Sequence, residues 1–121
     1  MTAPEIQIGC VSNLFSRQMT FKSVGDVMEG HKHIWDHLTL LAYGKLSIDV
    51  EGVITEFDAP HMIYIQKNKN HTLTALQDQT VAYCIHALRN PDGSGDILDP
   101  ETIPEGINPF TVAEKLIINE Y

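Results

Sequence analysis

Apolar and polar residues run along this chain in short stretches that turn residues interrupt at regular intervals. Leu14–Phe21 reads as a strand, and a loop through Gly25 and Gly30 follows it. Residues 31–43 form a long extended segment that Gly44 closes. Lys45–Val50 (KLSIDV) alternates, and Glu51-Gly52 is a two-residue turn signal ahead of residues 53–57 (VITEF). Asp58-Ala59-Pro60 breaks the chain, and His61–Ile65 (HMIYI) resumes it. A polar turn, QKNKN, leads into residues 71–76, and Gln77-Asp78-Gln79 turns the chain again. Residues 80–89 (TVAYCIHALR) are apolar and β-branched enough for a buried strand. Short strands at this spacing predict an antiparallel sandwich or barrel.

The last quarter of the chain has a different texture. Residues 90–108 are dense in Gly, Pro and Asp and read as an irregular surface loop. Thr111 with Glu114 forms a capping box ahead of VAEKLII, which predicts one short C-terminal helix. No repeat or linker divides the chain. The expectation is a single domain over 1–121, with its core in 14–89 and a C-terminal loop and helix in 90–121.

Composition narrows the function classes. The 121 residues carry 16 acidic against 8 basic side chains, a formal charge of −8, with no basic cluster. That balance repels phosphate backbones and anionic membranes, so neither nucleic acid nor a membrane is an expected partner. The longest apolar runs fall well short of the roughly 20 residues that span a bilayer. The N-terminus, MTAPEIQIGC, lacks a basic start and an apolar stretch, so no secretory signal is expected. Cys10 and Cys84 are too few for a disulfide framework, and a reduced, cytoplasmic setting is expected. The sequence holds no Ser-His-Asp order, glycine-rich phosphate loop or Cys-x-x-Cys pair.

Histidine is what stands out: six residues, three of them within seven positions. On a strand, alternate side chains share a face, so His31, His33 and His37 project to one side. Imidazole nitrogens bond a metal at about 2.0–2.1 Å, so one ion can gather His31 and His33 across a single pleat. His37 lies about 13 Å from His33 along a straight strand. It reaches the same ion only if the chain bends within Ile34-Trp35-Asp36; otherwise it is a neighbour of the site. A ligand from a second strand would close the set, and His71 opens one after the QKNKN turn.

These residues resemble the cupin family. Its first motif, G(X)5HXH(X)3-4E(X)6G, matches Gly25-DVMEG-His31-Lys32-His33-IWD-His37-LTLLAY-Gly44 at every spacing, with His37 where Glu is usual. Its second motif, G(X)5-7PXG(X)2H(X)3N, keeps His71. Gln66 and Asn68 stand where Pro and Gly are usual, and Ala75 replaces Asn. The resemblance covers residues 14–89. It implies an all-β double-stranded β-helix, the jelly-roll barrel of the cupins, with one divalent metal held by His31, His33, His37 and His71. Such a site is similar to those of small four-histidine cupins. Four neutral imidazoles leave the full +2 charge on the ion, which favours an anionic or enolisable oxygen ligand. Mn, Fe, Ni, Cu and Zn all accept imidazole, so the ligand set does not choose among them.

The function that the resemblance implies is a mononuclear metal-dependent oxygenase acting on a small organic substrate. A metal-dependent isomerase or lyase, and a non-catalytic module binding a small ligand or metal, are the alternatives. His86 and Tyr83 are the candidate acid/base residues, and His86 also reads as an ordinary core or surface histidine. Trp35 and Tyr43 share the parity of the histidines, so they are expected beside His86 as pocket residues, or else in the core. His61 reads as a surface residue and Cys84 as a small buried hydrophobe. Ile34, Leu38, Leu40 and Ala42 form the opposite face of the same segment. So apolar a face requires cover by a second sheet, by the C-terminal helix or by another subunit. A homodimer is the expectation.

Overall fold

The computed structural model describes residues 2–11, 14–30 and 37–87. The predicted C-terminal loop and helix therefore lie outside the described residues, as does the first part of the 31–43 segment. Nine strands are described: β1 (Glu5–Val11), β2 (Leu14–Phe21), β3 (Val27–Met28), β4 (His37–Tyr43), β5 (Lys45–Val50), β6 (Val53–Asp58), β7 (His61–Ile65), β8 (His71–Ala75) and β9 (Thr80–Ala87). They form two antiparallel sheets, one ordered β1-β2-β9-β4-β7 and the other β3-β8-β5-β6. The chain crosses from one sheet to the other after β2, β3, β4, β6, β7 and β8. This winding is a double-stranded β-helix, and no helix among the described residues is long and apolar enough to cross a membrane.

Side-chain alternation decides which residues lie between the sheets. On β2, Phe15, Arg17, Met19 and Phe21 are buried and their neighbours are not. On β9 the buried set is Thr80, Ala82, Cys84 and His86. Leu46 and Ile48 on β5 meet Leu73 and Ala75 on β8, and Ile63 and Ile65 on β7 close the side. Phe21, Leu41 and Leu46 are fully buried, and each such side chain contributes on the order of 1.5–3 kcal/mol.

Two strands escaped the sequence reading. β1 is an edge strand paired to β2 alone, and its Ile6 stays 39% exposed, so alternation there is weak. β3 is two residues long, too short for any periodic signal. The predicted Glu51-Gly52 turn does close the β5–β6 hairpin, with both residues at positive φ and Val50 opposite Val53.

Asp26 ties the N-terminal residues to β3. Its carboxylate accepts from the Thr2 hydroxyl at 2.8 Å and from the Ser23 amide at 3.1 Å, while Val27 N–H donates to the Thr2 carbonyl. The Thr2 hydroxyl and then the Ser23 amide hold this carboxyl below its ordinary value of 3.8. Because the folded value is lowered, the stabilisation is fully present above the ordinary value and is lost as pH falls through the folded one. Asp26→Asn should therefore lower the melting temperature at neutral pH, and the difference from wild type should narrow as the pH falls below the ordinary carboxyl value of 3.8. Parallel melts from pH 2 to pH 7 test this, and a difference that persists unchanged in acid would refute it.

Candidate metal centre

Among the described residues, His37, His71 and His86 stand at the same end of the barrel. β4 begins at His37, whose backbone stands opposite Ile65, the last residue of β7. Residues 66–70 then carry the chain to the other sheet, where β8 begins at His71 opposite Val50. β9 ends on the same side with His86, opposite Phe15 of β2. The Leu38↔Ile85 and Thr39↔Cys84 pairs set His86 level with the start of β4. His61 begins β7 at the far end, exposed, with its ring 5.0 Å from that of Phe57. It is the surface residue that the sequence predicts.

His71 is 6% exposed and alternates with buried Leu73 and Ala75, so its ring lies on the inner face. Its Nδ1 is 3.2 Å from the Lys69 carbonyl oxygen. A carbonyl has no proton to give, so Nδ1 donates and the neutral ring carries its lone pair on Nε2. A backbone carbonyl fixing the tautomer in this way is the usual support of a metal-binding histidine. The turn ahead of it supplies a reason for a departure from the family pattern. Asn68, standing where Gly is usual, has φ 62°, and Asn is among the few side chains that tolerate that conformation. Gly30 lies against the backbone of His71 and donates its amide to the Thr72 hydroxyl at 3.4 Å; a methyl group at Gly30 would run into the His71 carbonyl.

His86 is 7% exposed, with its ring centroid 4.8 Å from that of Phe15. Its Nδ1 donates to the Ala87 carbonyl at 2.8 Å, which again leaves Nε2 as the basic nitrogen of the neutral ring.

Two expected residues fall on the other side of the sheet. Tyr43 has the parity of His37, but the β4–β9 register shifts between Leu41 and Tyr43. That bulge inserts one residue and sets Tyr43 opposite outward-facing Val81, where it is 57% exposed. It is therefore not a pocket residue. Tyr83 alternates with buried Ala82 and Cys84 and pairs with Gln18 on the outer face, so it does not share a site with His86. His31, His33 and Trp35 lie outside the described residues, and His37 is placed by its backbone. Among the described residues no three His, Cys, Asp or Glu side chains come together as a metal site.

The sequence reading passed over a polar row on the inner face. Arg17, Cys84 and Thr39 stand side by side across β2, β9 and β4, with Thr39 Oγ1 3.6 Å from Cys84 Sγ. Arg17 is 8% exposed. Its parity with Phe15, Met19 and Phe21 is the signal that would have found it.

No family model and no curated protein matches the chain. Solved structures do. KdgF from Halomonas sp. superposes with a TM-score of 0.62 at 18% identity, over 72% of this chain and 80% of that one. A cupin 2 conserved barrel domain protein from Salinispora arenicola gives 0.61 at 14% identity, over 68% and 73%. An RmlC-like cupin family protein with a double-stranded β-helix fold from Methanocaldococcus jannaschii gives 0.59 at 11% identity, over 70% and 82%. Winding, sheet order and these likenesses agree: the fold of this chain is the cupin double-stranded β-helix.

Proposed function

We propose that this protein holds one divalent metal ion at the histidine end of the barrel and acts there as an oxygenase on a small organic substrate. His71 carries the proposal: a buried, inward imidazole with its tautomer fixed by the Lys69 carbonyl, at the end where β4 starts. His31, His33 and His37 are the other ligands, from the spacing of the first cupin motif. The bound ion supplies Lewis acidity and, where the metal is redox-active, electrons for dioxygen chemistry. The protein's own part is to bind and orient. Phe15 packs on the His86 ring, and in this reading His86 Nε2 takes or returns a proton. The molecule's partners are this substrate and a second copy of the chain.

A non-catalytic binding module is the second reading. It is favoured by the outward position of Tyr83, which leaves His86 as the one acid/base candidate that faces inward. Metal analysis of untagged protein purified without added metal should find about one ion per chain, and His31→Ala should remove it. Oxygen uptake with enolisable or phenolic substrates should follow for iron- or manganese-loaded protein, and His86→Gln should slow turnover while keeping the ion. Metal-loaded protein that consumes no oxygen leaves the binding module as the function. Protein that takes up no metal on titration refutes the metal centre itself.

A further inference from the structure

The polar row on the inner face lies at a definite depth in the barrel. Phe15 and His86 pair level with the start of β4, at the end where His71 opens β8. Two residues further in along each strand, Arg17, Cys84 and Thr39 stand side by side. Two residues beyond those come Met19, Ala82 and Leu41, all fully buried. Successive layers are about 7 Å apart, at about 3.3 Å per residue. A molecule entering from the histidine end therefore meets imidazole first, then the row that holds Arg17, then an apolar layer. Arg17 pairs with Cys84, and His86 is two residues along β9, so Arg17 and His86 are diagonal neighbours. Such neighbours lie roughly 7 Å apart, within reach of a long side chain.

Arg17 is the one Lys or Arg that is buried among the described residues. Phe15, Met19 and Phe21, which share its face of β2, are fully buried and apolar. Leu or Met would pack among them without the cost of taking a guanidinium out of water. Core packing thus gives no reason for a cation here. We propose that Arg17 binds the carboxylate of the substrate. The substrate is then a small oxo or enolisable carboxylic acid, its carboxylate inward and its other oxygen toward the histidines. This assignment rests on the reading of the histidine end as the reacting site. A guanidinium offers five donors in a planar fork that fits a carboxylate through two parallel hydrogen bonds. Five donors also let Arg17 keep a protein contact at one edge and take a ligand at another. Thr39 adds a hydroxyl to the row and Cys84 a thiol, but neither adds a second positive charge, which suits a monoanion better than a phosphate dianion. The chain as a whole carries −8 and repels anions at long range. Selection for a carboxylate therefore needs a cation inside the barrel, where the lower dielectric strengthens the pairing.

Isothermal titration calorimetry of the full chain with pyruvate, and with pyruvamide as its uncharged isostere, tests the assignment. Metal-free protein comes first, because a bound ion would itself prefer the anion. Wild type should bind pyruvate more tightly than pyruvamide by roughly tenfold or more. Arg17→Met should abolish that preference, and Arg17→Lys should keep only part of it, since an ammonium has the charge without the fork. If Arg17→Met does not melt cooperatively, Arg17→Gln replaces it, with the same result expected. Wild type with no preference for pyruvate, whether it binds both molecules or neither, would overturn the proposal. A preference that survives in the folded uncharged variant would overturn it as well. Zinc titration of the same samples separates this site from the metal centre. An Arg17-dependent preference in protein that takes up no zinc upholds the carboxylate site and refutes the metal centre. Zinc uptake without that preference does the reverse.

Discussion

Gly44→Ala is expected to destabilise the fold by about 2–4 kcal/mol, from backbone strain and a steric clash together. Gly44 ends the first cupin motif and turns the chain from β4 into β5 at φ 91°, outside the range that L side chains readily adopt. A Cβ at this position would stand 2.9 Å from the Cα of Thr80, which is backbone and cannot swing aside. Thr80 is itself pinned. It is fully buried, and its hydroxyl donates to the Gln77 carbonyl at 2.8 Å and accepts the Lys45 amide at 3.3 Å. Moving it disturbs the β4–β5 and β8–β9 connections at once. Gly25 is the built-in comparison, with φ 93° but nothing within 4 Å of a Cβ. Gly25→Ala should cost only the strain, about 1 kcal/mol. Urea unfolding of the two variants beside wild type measures both, and equal losses would show that the approach to Thr80 is not what requires glycine at 44.

How far the fold could be read from the chain depended on what each strand had to bury. Leu14–Phe21, Lys45–Val50 and His61–Ile65 have the predicted bounds because turns flank them and each puts a face into the core. β1 buries little and β3 is only two residues long, so neither left a signal in a pattern of alternation. Parity served the inner face as long as the strand stayed regular. It agrees with the burial of Phe15, Met19 and Phe21 on β2 and of Leu73 and Ala75 on β8, and it failed at Tyr43, because a bulge is a local backbone event that alternation does not encode. Tyr83 and His86 lay on opposite faces by parity too, three residues apart on one strand, and pairing them as acid/base candidates overlooked it. Arg17 was legible and unread: attention to histidines left the one cation among the inward residues of β2 unremarked. Asn68 shows the converse. Its departure from the family's Gly counted against the second motif, yet its φ of 62° serves the same turn.

His71→Ala is expected to weaken metal binding by on the order of 100-fold or more, since even supporting residues around a metal commonly account for 10–100-fold. The loss should be visible in stability as well as in metal content. An ion that binds only the folded chain stabilises it by about 2.7 kcal/mol at 100 times its Kd. At the same free metal concentration, a variant with a 100-fold higher Kd sits at its own Kd, where the gain is only about 0.4 kcal/mol. The metal-dependent part of the unfolding free energy should therefore nearly vanish in His71→Ala. The metal-free difference from wild type is a separate quantity, because removing a buried imbedded ring between Leu73 and the QKNKN turn leaves a void of its own. Comparing each protein with and without metal cancels that cost. His86→Ala supplies the contrast: it empties a comparable volume at the same end of the barrel but removes no proposed ligand, so its metal-dependent gain should stay near the wild-type value. If both variants lose that gain, barrel integrity rather than ligation governs metal uptake. If His71→Ala retains it, the ion lies elsewhere, and the buried imidazole held by the Lys69 carbonyl is a packing residue of β8.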